Sequence, residues 1–83
     1  MTDICHGLGQ ELDGTLQSQG VFHETALVHM PKGLDFLEAS TLTCSGLTAW
    51  NALFGVEGYK PRNKDYVLVQ GTGGVSVAAL QVC

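Results

Sequence analysis

The feature that most constrains the fold is an apolar run that breaks into glycines and then becomes apolar again. Residues 66–70 read Tyr-Val-Leu-Val-Gln, residues 71–74 contain three glycines, and residues 75–80 are mostly apolar. This order predicts a strand, a tight turn and a helix. Since residues 67–69 are apolar in succession, the strand should be covered on both faces, as in a parallel sheet. The helix N-terminus would present unpaired N–H groups and a positive dipole end, which suit a diphosphate.

The glycines have the spacing of a dinucleotide-binding fingerprint. Gly71, Gly73 and Ser76 occupy its three positions, with serine in place of the third glycine. The first position needs a tight turn, the second a close backbone approach to pyrophosphate, and the third close packing of helix on strand. Serine is small enough for that last position, at some cost. The predicted cofactor-binding residues are Gly71, Thr72, Gly73, Gly74, Val75 and Ser76.

Two other interpretations of this segment are excluded by the residues that follow it. A Walker-type phosphate loop needs a lysine after its last glycine, and no lysine follows Asp65. The sequence around Ser76 also resembles a nucleophile elbow with alanine for the final glycine. That arrangement requires an acid and a histidine after the serine, and neither occurs.

Composition and charge narrow the classes of partner. A chain of 83 residues forms one small domain and buries only about 60% of its unfolded surface. The net charge of −4 argues against nucleic acid or an anionic membrane as the main partner. No apolar stretch approaches the roughly 20 residues that span a bilayer, and the first residues lack an export signal, so we expect a cytoplasmic protein. Three widely spaced cysteines, Cys5, Cys44 and Cys83, fit reduced thiols better than a disulfide framework.

The remaining elements follow from local patterns. Residues 7–20 hold four glycines among polar residues and should be irregular, whereas residues 21–30 suggest one or two short strands. Asp35 stands three residues before Glu38, as in a capping box, and this predicts a short helix near Phe36. A second helix is predicted over residues 45–54. It carries an apolar stripe that should be buried, formed by Leu47, Trp50 and Phe54 with Leu53 beside them.

Two segments together resemble a known family. Residues 42–53 read Leu-Thr-Cys-Ser-Gly-Leu-Thr-Ala-Trp-Asn-Ala-Leu, and residues 65–76 read Asp-Tyr-Val-Leu-Val-Gln-Gly-Thr-Gly-Gly-Val-Ser. They are similar to medium-chain dehydrogenase/reductases, the superfamily of zinc-type alcohol dehydrogenases and quinone oxidoreductases. The resemblance implies NAD(P)-dependent hydride transfer, NADP being slightly favoured over NAD. It also implies an alcohol, carbonyl or quinone substrate, and homo-oligomers are among the expected assemblies.

The resemblance implies an α/β fold of which this chain holds a truncated middle segment. Residues 1–34 would end a β-rich, GroES-like catalytic domain, residues 35–64 would form linking helices, and residues 65–83 would begin a Rossmann dinucleotide-binding domain. The second strand of that domain and the residue that reads the ribose, about 20 positions beyond the glycines, are absent from the sequence. The alternative is therefore an inactive remnant that acts as a packing or interaction module.

Two positions depart from the pattern of the family or match it incompletely. Cys44 lies where zinc-containing members have a catalytic zinc ligand. Such a site needs three protein ligands, and Cys5 and His6 match no ligand motif, so a buried structural thiol is favoured and zinc is not expected. The family usually has glycine immediately before Asp65, and this chain has Lys64. We expect Asn63 to take the left-handed conformation instead. No catalytic residue is assigned.

Overall fold

A computed structural model describes residues 7–83, and the regular structure within this range is helical. Helix α2 (Leu47–Phe54) contacts helix α3 (Gly74–Val82), and both contact the π-helical turn Leu42–Gly46 that precedes α2. The elements in chain order are a 3-10 helix Glu24–Ala26, α1 Phe36–Ser40, a π-helical turn Leu42–Gly46, α2 Leu47–Phe54 and α3 Gly74–Val82. Residues 8 and 12 form an isolated bridge in the irregular segment before the 3-10 helix.

Helix α1 begins at the predicted capping box, which is therefore confirmed. The Asp35 Oδ1 atom accepts a hydrogen bond from the Glu38 N–H at 2.7 Å, and Glu38 Oε2 accepts one from the Asp35 N–H at 3.0 Å. The two bonds satisfy donors that the helix itself cannot pair. At the other end, the Ser40 hydroxyl donates to the Leu37 carbonyl at 2.7 Å. The box thus specifies where this one-turn helix starts.

The second helix starts earlier than the sequence predicts. Helical backbone begins at Leu42 with a π turn and continues from Leu47 as α2, which ends at Phe54. The Gly55 N–H donates to the Asn51 carbonyl at 2.8 Å and closes the last turn. A π turn holds one more residue than an α turn, and sequence periodicity does not reveal it. The helix and its end were predicted, whereas the π turn was missed.

The buried hydrophobic residues of the contacting helices α2 and α3 are small. Ala49 in α2 is 1% exposed and Ala79 in α3 is 7% exposed, and among the described residues these are the buried hydrophobic ones. The predicted burial of the apolar stripe of α2 is wrong for Leu47, which is 62% exposed, and for Trp50, which is 56% exposed, whereas Leu53 and Phe54 are half-buried. Trp50 instead packs on Phe54, one helical turn away, with ring centroids 4.6 Å apart. The two helices therefore fully bury only small side chains, and Leu47 and Trp50 stay exposed.

The strands predicted from local sequence are absent from the described residues. Residues 66–70 belong to no sheet, and Tyr66 and Leu68 are largely exposed. A strand needs a neighbouring strand to pair its N–H and C=O groups, and residues 7–83 provide none. Residues 21–30 contain the 3-10 helix, in which His23 Nδ1 accepts a hydrogen bond from the Thr25 N–H at 3.3 Å. The described part of the α/β prediction is therefore corrected to helices joined by irregular segments.

The molecule exposes far more surface than a compact protein of its mass. Its accessible surface is 8004 Å², whereas about 4,800 Å² is expected for a folded 8.8 kDa protein. The radius of gyration is 15.4 Å against about 12 Å for a compact chain of this length. In residues 7–83, no helix has both the length and the apolar character needed to cross a membrane. Most apolar side chains of this chain therefore lack protein cover.

The turn before residues 66–70 uses a different residue from the one predicted. Lys64 has φ +78°, and among the described non-glycine residues it alone has positive φ, so the expectation for Asn63 is wrong. The Asp65 carboxylate accepts a hydrogen bond from the Arg62 N–H at 2.7 Å, and the Asp65 N–H donates to the Arg62 carbonyl at 3.0 Å. These two bonds close the turn, and the strained position falls on the residue just before Asp65.

Lys64→Gly should therefore stabilise this turn. Glycine adopts positive φ without steric cost, but its greater flexibility in the unfolded chain offsets part of the gain in stability. The net result should be about threefold greater protection of the Asp65 amide against hydrogen exchange. Asn63→Gly is the matched control, because Asn63 does not have positive φ and should gain nothing. Equal protection in the two variants would contradict the assignment of strain to Lys64.

Candidate functional site

The glycine turn enters α3 through two glycines with different backbone conformations. Gly71 has φ +87°, a region that side chains rarely adopt, so the turn requires glycine there. Gly73 is the N-cap of α3, with φ −75° and ψ 171°, which any residue can adopt. A glycine at position 73 is therefore not required by the backbone. The space beside Gly73 is open, since a Cβ atom there would meet no atom within 4 Å.

The N-terminus of α3 has unpaired donors. No side chain caps Gly73, and the first hydrogen bond of the helix joins the Val77 N–H to the Gly73 carbonyl at 3.0 Å. The N–H groups of residues 74–76 have no intrahelical partner, as at every helix start. Residues 71–75 are exposed. These three donors and the positive end of the helix dipole face an open surface that suits an anion.

Ser76, at the third fingerprint position, makes a contact that glycine could not make. Its Oγ atom donates a hydrogen bond to the Gln70 carbonyl at 2.9 Å. The bond joins the first turn of α3 to the residue just before Gly71. Sequence reasoning treated serine here as a tolerated substitute, and the structure assigns it a specific contact across the turn.

Gly74 lies against the π-helical turn. A Cβ atom at this position would lie 2.7 Å from Ser45 Oγ and 3.4 Å from Ser45 Cβ. The sequence predicted that the third fingerprint position, Ser76, would provide close packing of the helix. Here Gly74 provides a close approach between α3 and the π turn. Spacing alone could not reveal this contact, because Ser45 is distant in sequence.

An open cleft of about 380 Å³ lies between the π turn and α3 and reaches the glycine turn. Its lining contains hydroxyl, amide and apolar groups and no charged side chain. The lining residues are Thr41, Leu42, Ser45 and Gly46 on one side, and Thr72, Gly74, Val77, Ala78 and Gln81 on the other. An anion in the cleft would therefore meet no carboxylate among these residues. Together with the free amides of α3, this lining can accept an anion.

A larger apolar groove of about 890 Å³ adjoins the cleft, with which it shares Leu42 and Gly46. Its lining comes from residues 26–31, α1, the π turn, α2 and the end of α3, and it includes Met30, Phe36 and Trp50. Few polar groups line this groove, so it offers little for orienting a phosphate. It belongs to the exposed apolar surface described above.

Cys44 is exposed in the π turn, so the prediction of a buried thiol is wrong. Cys5 and His6 lie outside the described residues. In residues 7–83, no three histidine, cysteine, aspartate or glutamate side chains come together in a group that could hold a metal ion. A catalytic zinc ion needs three protein ligands, and the described donors around Cys44 do not supply them. No step of the chemistry is assigned to zinc here.

Comparison with known proteins identifies relatives over most of the chain. It is 50% identical over 74 residues to a zinc-type alcohol dehydrogenase-like protein of Schizosaccharomyces pombe. The matched region covers 89% of this chain and 21% of the relative. It is 35% identical over 72 residues to the human mitochondrial NAD(P)H oxidoreductase RTN4IP1, covering 83% of this chain and 18% of the relative. No protein-family profile and no solved structure matches the chain.

A third relative, the synaptic vesicle membrane protein VAT-1 homolog of Danio rerio, is 32% identical over 74 residues. The chain spans about a fifth of the length of the curated relatives that it matches. Dehydrogenase-like and oxidoreductase names recur among these relatives and agree with the resemblance carried by residues 42–53 and 65–76. The chain therefore belongs to the medium-chain dehydrogenase/reductase superfamily.

Proposed function

We propose that this chain provides part of the pyrophosphate site of an NAD(P)-dependent oxidoreductase of the alcohol dehydrogenase or quinone reductase type. The observation that carries the proposal is the uncapped N-terminus of α3, which lies beside a cleft without charged side chains. Anions are stabilised at such a position by free N–H groups and by the helix dipole. Membership of the superfamily supports a nicotinamide cofactor as the source of the anion.

Each part of the turn has a distinct role in this proposal. Gly71 supplies the left-handed bend, and Gly73 leaves room for a phosphate to approach the backbone. The N–H groups of residues 74–76 donate to the phosphate oxygens. Thr72 lines the cleft and provides a hydroxyl at its edge. The cofactor, when bound, supplies the hydride chemistry, and these residues bind and orient its diphosphate.

The wider assignment belongs to the same proposal. The substrate would be a small alcohol, carbonyl compound or quinone, and the cofactor NADP in preference to NAD. Residues 1–34, 35–64 and 65–83 would correspond to the end of a catalytic domain, linking helices and the start of a Rossmann domain. A cytoplasmic location and homo-oligomer formation are further parts of it, although the RTN4IP1 relative is named as mitochondrial.

Titration with NADPH and with NADH tests the proposed site directly. We expect saturable binding, measured by calorimetry or by the fluorescence of Trp50, with NADPH the tighter ligand. Adenosine, which lacks the diphosphate, is the matched control ligand and should bind far more weakly. Absence of binding up to millimolar cofactor would contradict the proposal for this chain.

The exposed apolar surface favours a second candidate function, that of an inactive packing or interaction module. Leu47 and Trp50 on α2 and Leu68 beyond it are more than half exposed. Exposed large apolar side chains can provide sites of protein association. In this case the chain would associate through these residues rather than bind a cofactor.

This second candidate predicts concentration-dependent self-association and a broad thermal transition for the isolated chain. Leu68→Lys should reduce the association measured by analytical ultracentrifugation, because it places a charge within exposed apolar surface. Ser18→Lys, in an exposed irregular segment, is the control, because it makes the same change in charge without removing an apolar side chain, and it should have little effect. A monomer that melts sharply would argue against this function.

A further inference from the structure

We propose that Ser76 is a positioning residue for the cofactor turn, whose hydroxyl holds the Gln70–Gly71 peptide in place beneath the bound diphosphate. This inference rests on the proposed function. The relevant contact is the hydrogen bond from Ser76 Oγ to the Gln70 carbonyl, at 2.9 Å. The bond closes a ring that runs from Gln70 to Ser76 and includes all of residues 71–75.

The turn needs such a tie because glycines dominate it. Gly71 and Gly73 have more backbone freedom than any other residue type, so the direction of the turn relative to α3 is poorly restrained by the backbone itself. The Gln70 carbonyl belongs to the peptide that leads into Gly71, where φ is +87°. Holding this carbonyl from the first turn of α3 fixes both ends of the turn to the same helix.

The Ser76 hydroxyl can position the turn or donate directly to the cofactor, but it cannot do both at once. A hydroxyl has a single O–H donor, and here it is directed at the Gln70 carbonyl. It is therefore not free to donate to a phosphate oxygen while this bond exists. Ser76 would act on the cofactor through the turn, with its backbone N–H as the group that faces the anion.

The packing role expected at the third fingerprint position does not compete with this tie. Gly74 makes the close approach to Ser45, because a Cβ atom added at position 74 would lie 2.7 Å from Ser45 Oγ. With that approach provided two residues earlier, residue 76 can carry a side chain. Serine then contributes a bond that a glycine at this position would lose.

Three variants of residue 76 test the inference. Ser76→Ala and Ser76→Gly lose the hydroxyl, and each should weaken NADPH binding about fivefold, the usual effect of one lost hydrogen bond. Ser76→Thr keeps a hydroxyl and should restore the affinity. Ser40→Ala is the matched control, since the Ser40 hydroxyl donates to the Leu37 carbonyl at 2.7 Å within α1 and Ser40 does not line the cleft. It should leave the NADPH affinity unchanged.

Hydrogen exchange distinguishes positioning from general stabilisation. Ser76→Ala should speed exchange of the residue 71–74 amides while the amides of α2 keep their wild-type rates. Wild-type NADPH affinity in Ser76→Ala, or tighter binding in Ser76→Gly, would overturn the inference and leave the proposed function standing. A wild-type chain that binds no NADPH would instead overturn the proposed function, and the wild-type titration alone reveals that case.

Discussion

Gly73→Val should weaken NADPH binding more than tenfold without changing the helical structure. The backbone angles of Gly73 are open to valine, and a Cβ atom there meets nothing within 4 Å, so no clash forces the free chain to rearrange. In the complex the added side chain would occupy the space through which a phosphate reaches the helix N-terminus. Loss of the interactions of a diphosphate with several N–H groups exceeds the effect of one hydrogen bond, about fivefold.

The measurement is a pair of NADPH titrations accompanied by circular dichroism. Gly14→Ala is the control, because a Cβ atom there meets only ordinary contacts, at 3.5 Å from Gly9 Cα, in a segment remote from the turn in sequence. Gly73→Ala should give an intermediate affinity between wild type and Gly73→Val. An unchanged affinity in Gly73→Val would show that the cofactor does not approach this helix end.

Gly74→Val should detach α3 from the π turn. Its Cβ atom would lie 2.7 Å from Ser45 Oγ, and rotation of that hydroxyl would still leave Ser45 Cβ at 3.4 Å. Overpacking of this kind costs about 1–3 kcal/mol. The α2–α3 interface buries mainly alanine and has little energy in reserve, so we expect faster amide exchange throughout α3 and a weaker helical signal.

A second substitution identifies the clash as the cause. Ser45→Gly removes both atoms that the new side chain would meet, and the double variant should recover part of the lost protection of α3. Gly73→Ala is the control for adding a side chain to the turn, because the added Cβ atom meets no neighbour. Full protection of α3 in Gly74→Val, or no recovery in the double variant, would contradict the packing role of Gly74.

Features that depend on neighbours in sequence were predictable. Asp35 and Glu38 form the expected capping box, because a capping box involves only one turn of backbone. Helix α3 follows the glycine turn, and α2 ends at Phe54, before Gly55. Both boundaries follow from local backbone preferences. In each case the sequence contains all the groups that determine the structure.

Features that depend on distant groups were not predictable. An apolar run at residues 66–70 indicates a strand only if another strand pairs with it, and the described residues contain none. Cys44 was expected to be buried by residue type, yet burial depends on what covers the π turn. For the candidate site, the spacing indicated which residues form the turn. It could not indicate that Ser76 holds Gln70 or that Gly74 meets Ser45, since both are contacts of the folded chain.

The small interface between α2 and α3 has a consequence for the kinetics of the chain. The two helices are joined by residues 55–73, about twice the length of the loops of about 10 residues that close within roughly 100 ns, and doubling a loop adds only about 0.6 kcal/mol to the cost of closure. Since Ala49 and Ala79 are the buried hydrophobic residues of these helices, little apolar burial resists opening, and α3 should leave and rejoin α2 rapidly. A ligand that contacts Thr72 on one wall of the cleft and Leu42 on the other would slow this exchange. The lifetime of the closed cleft would then be set by its occupant rather than by the protein alone.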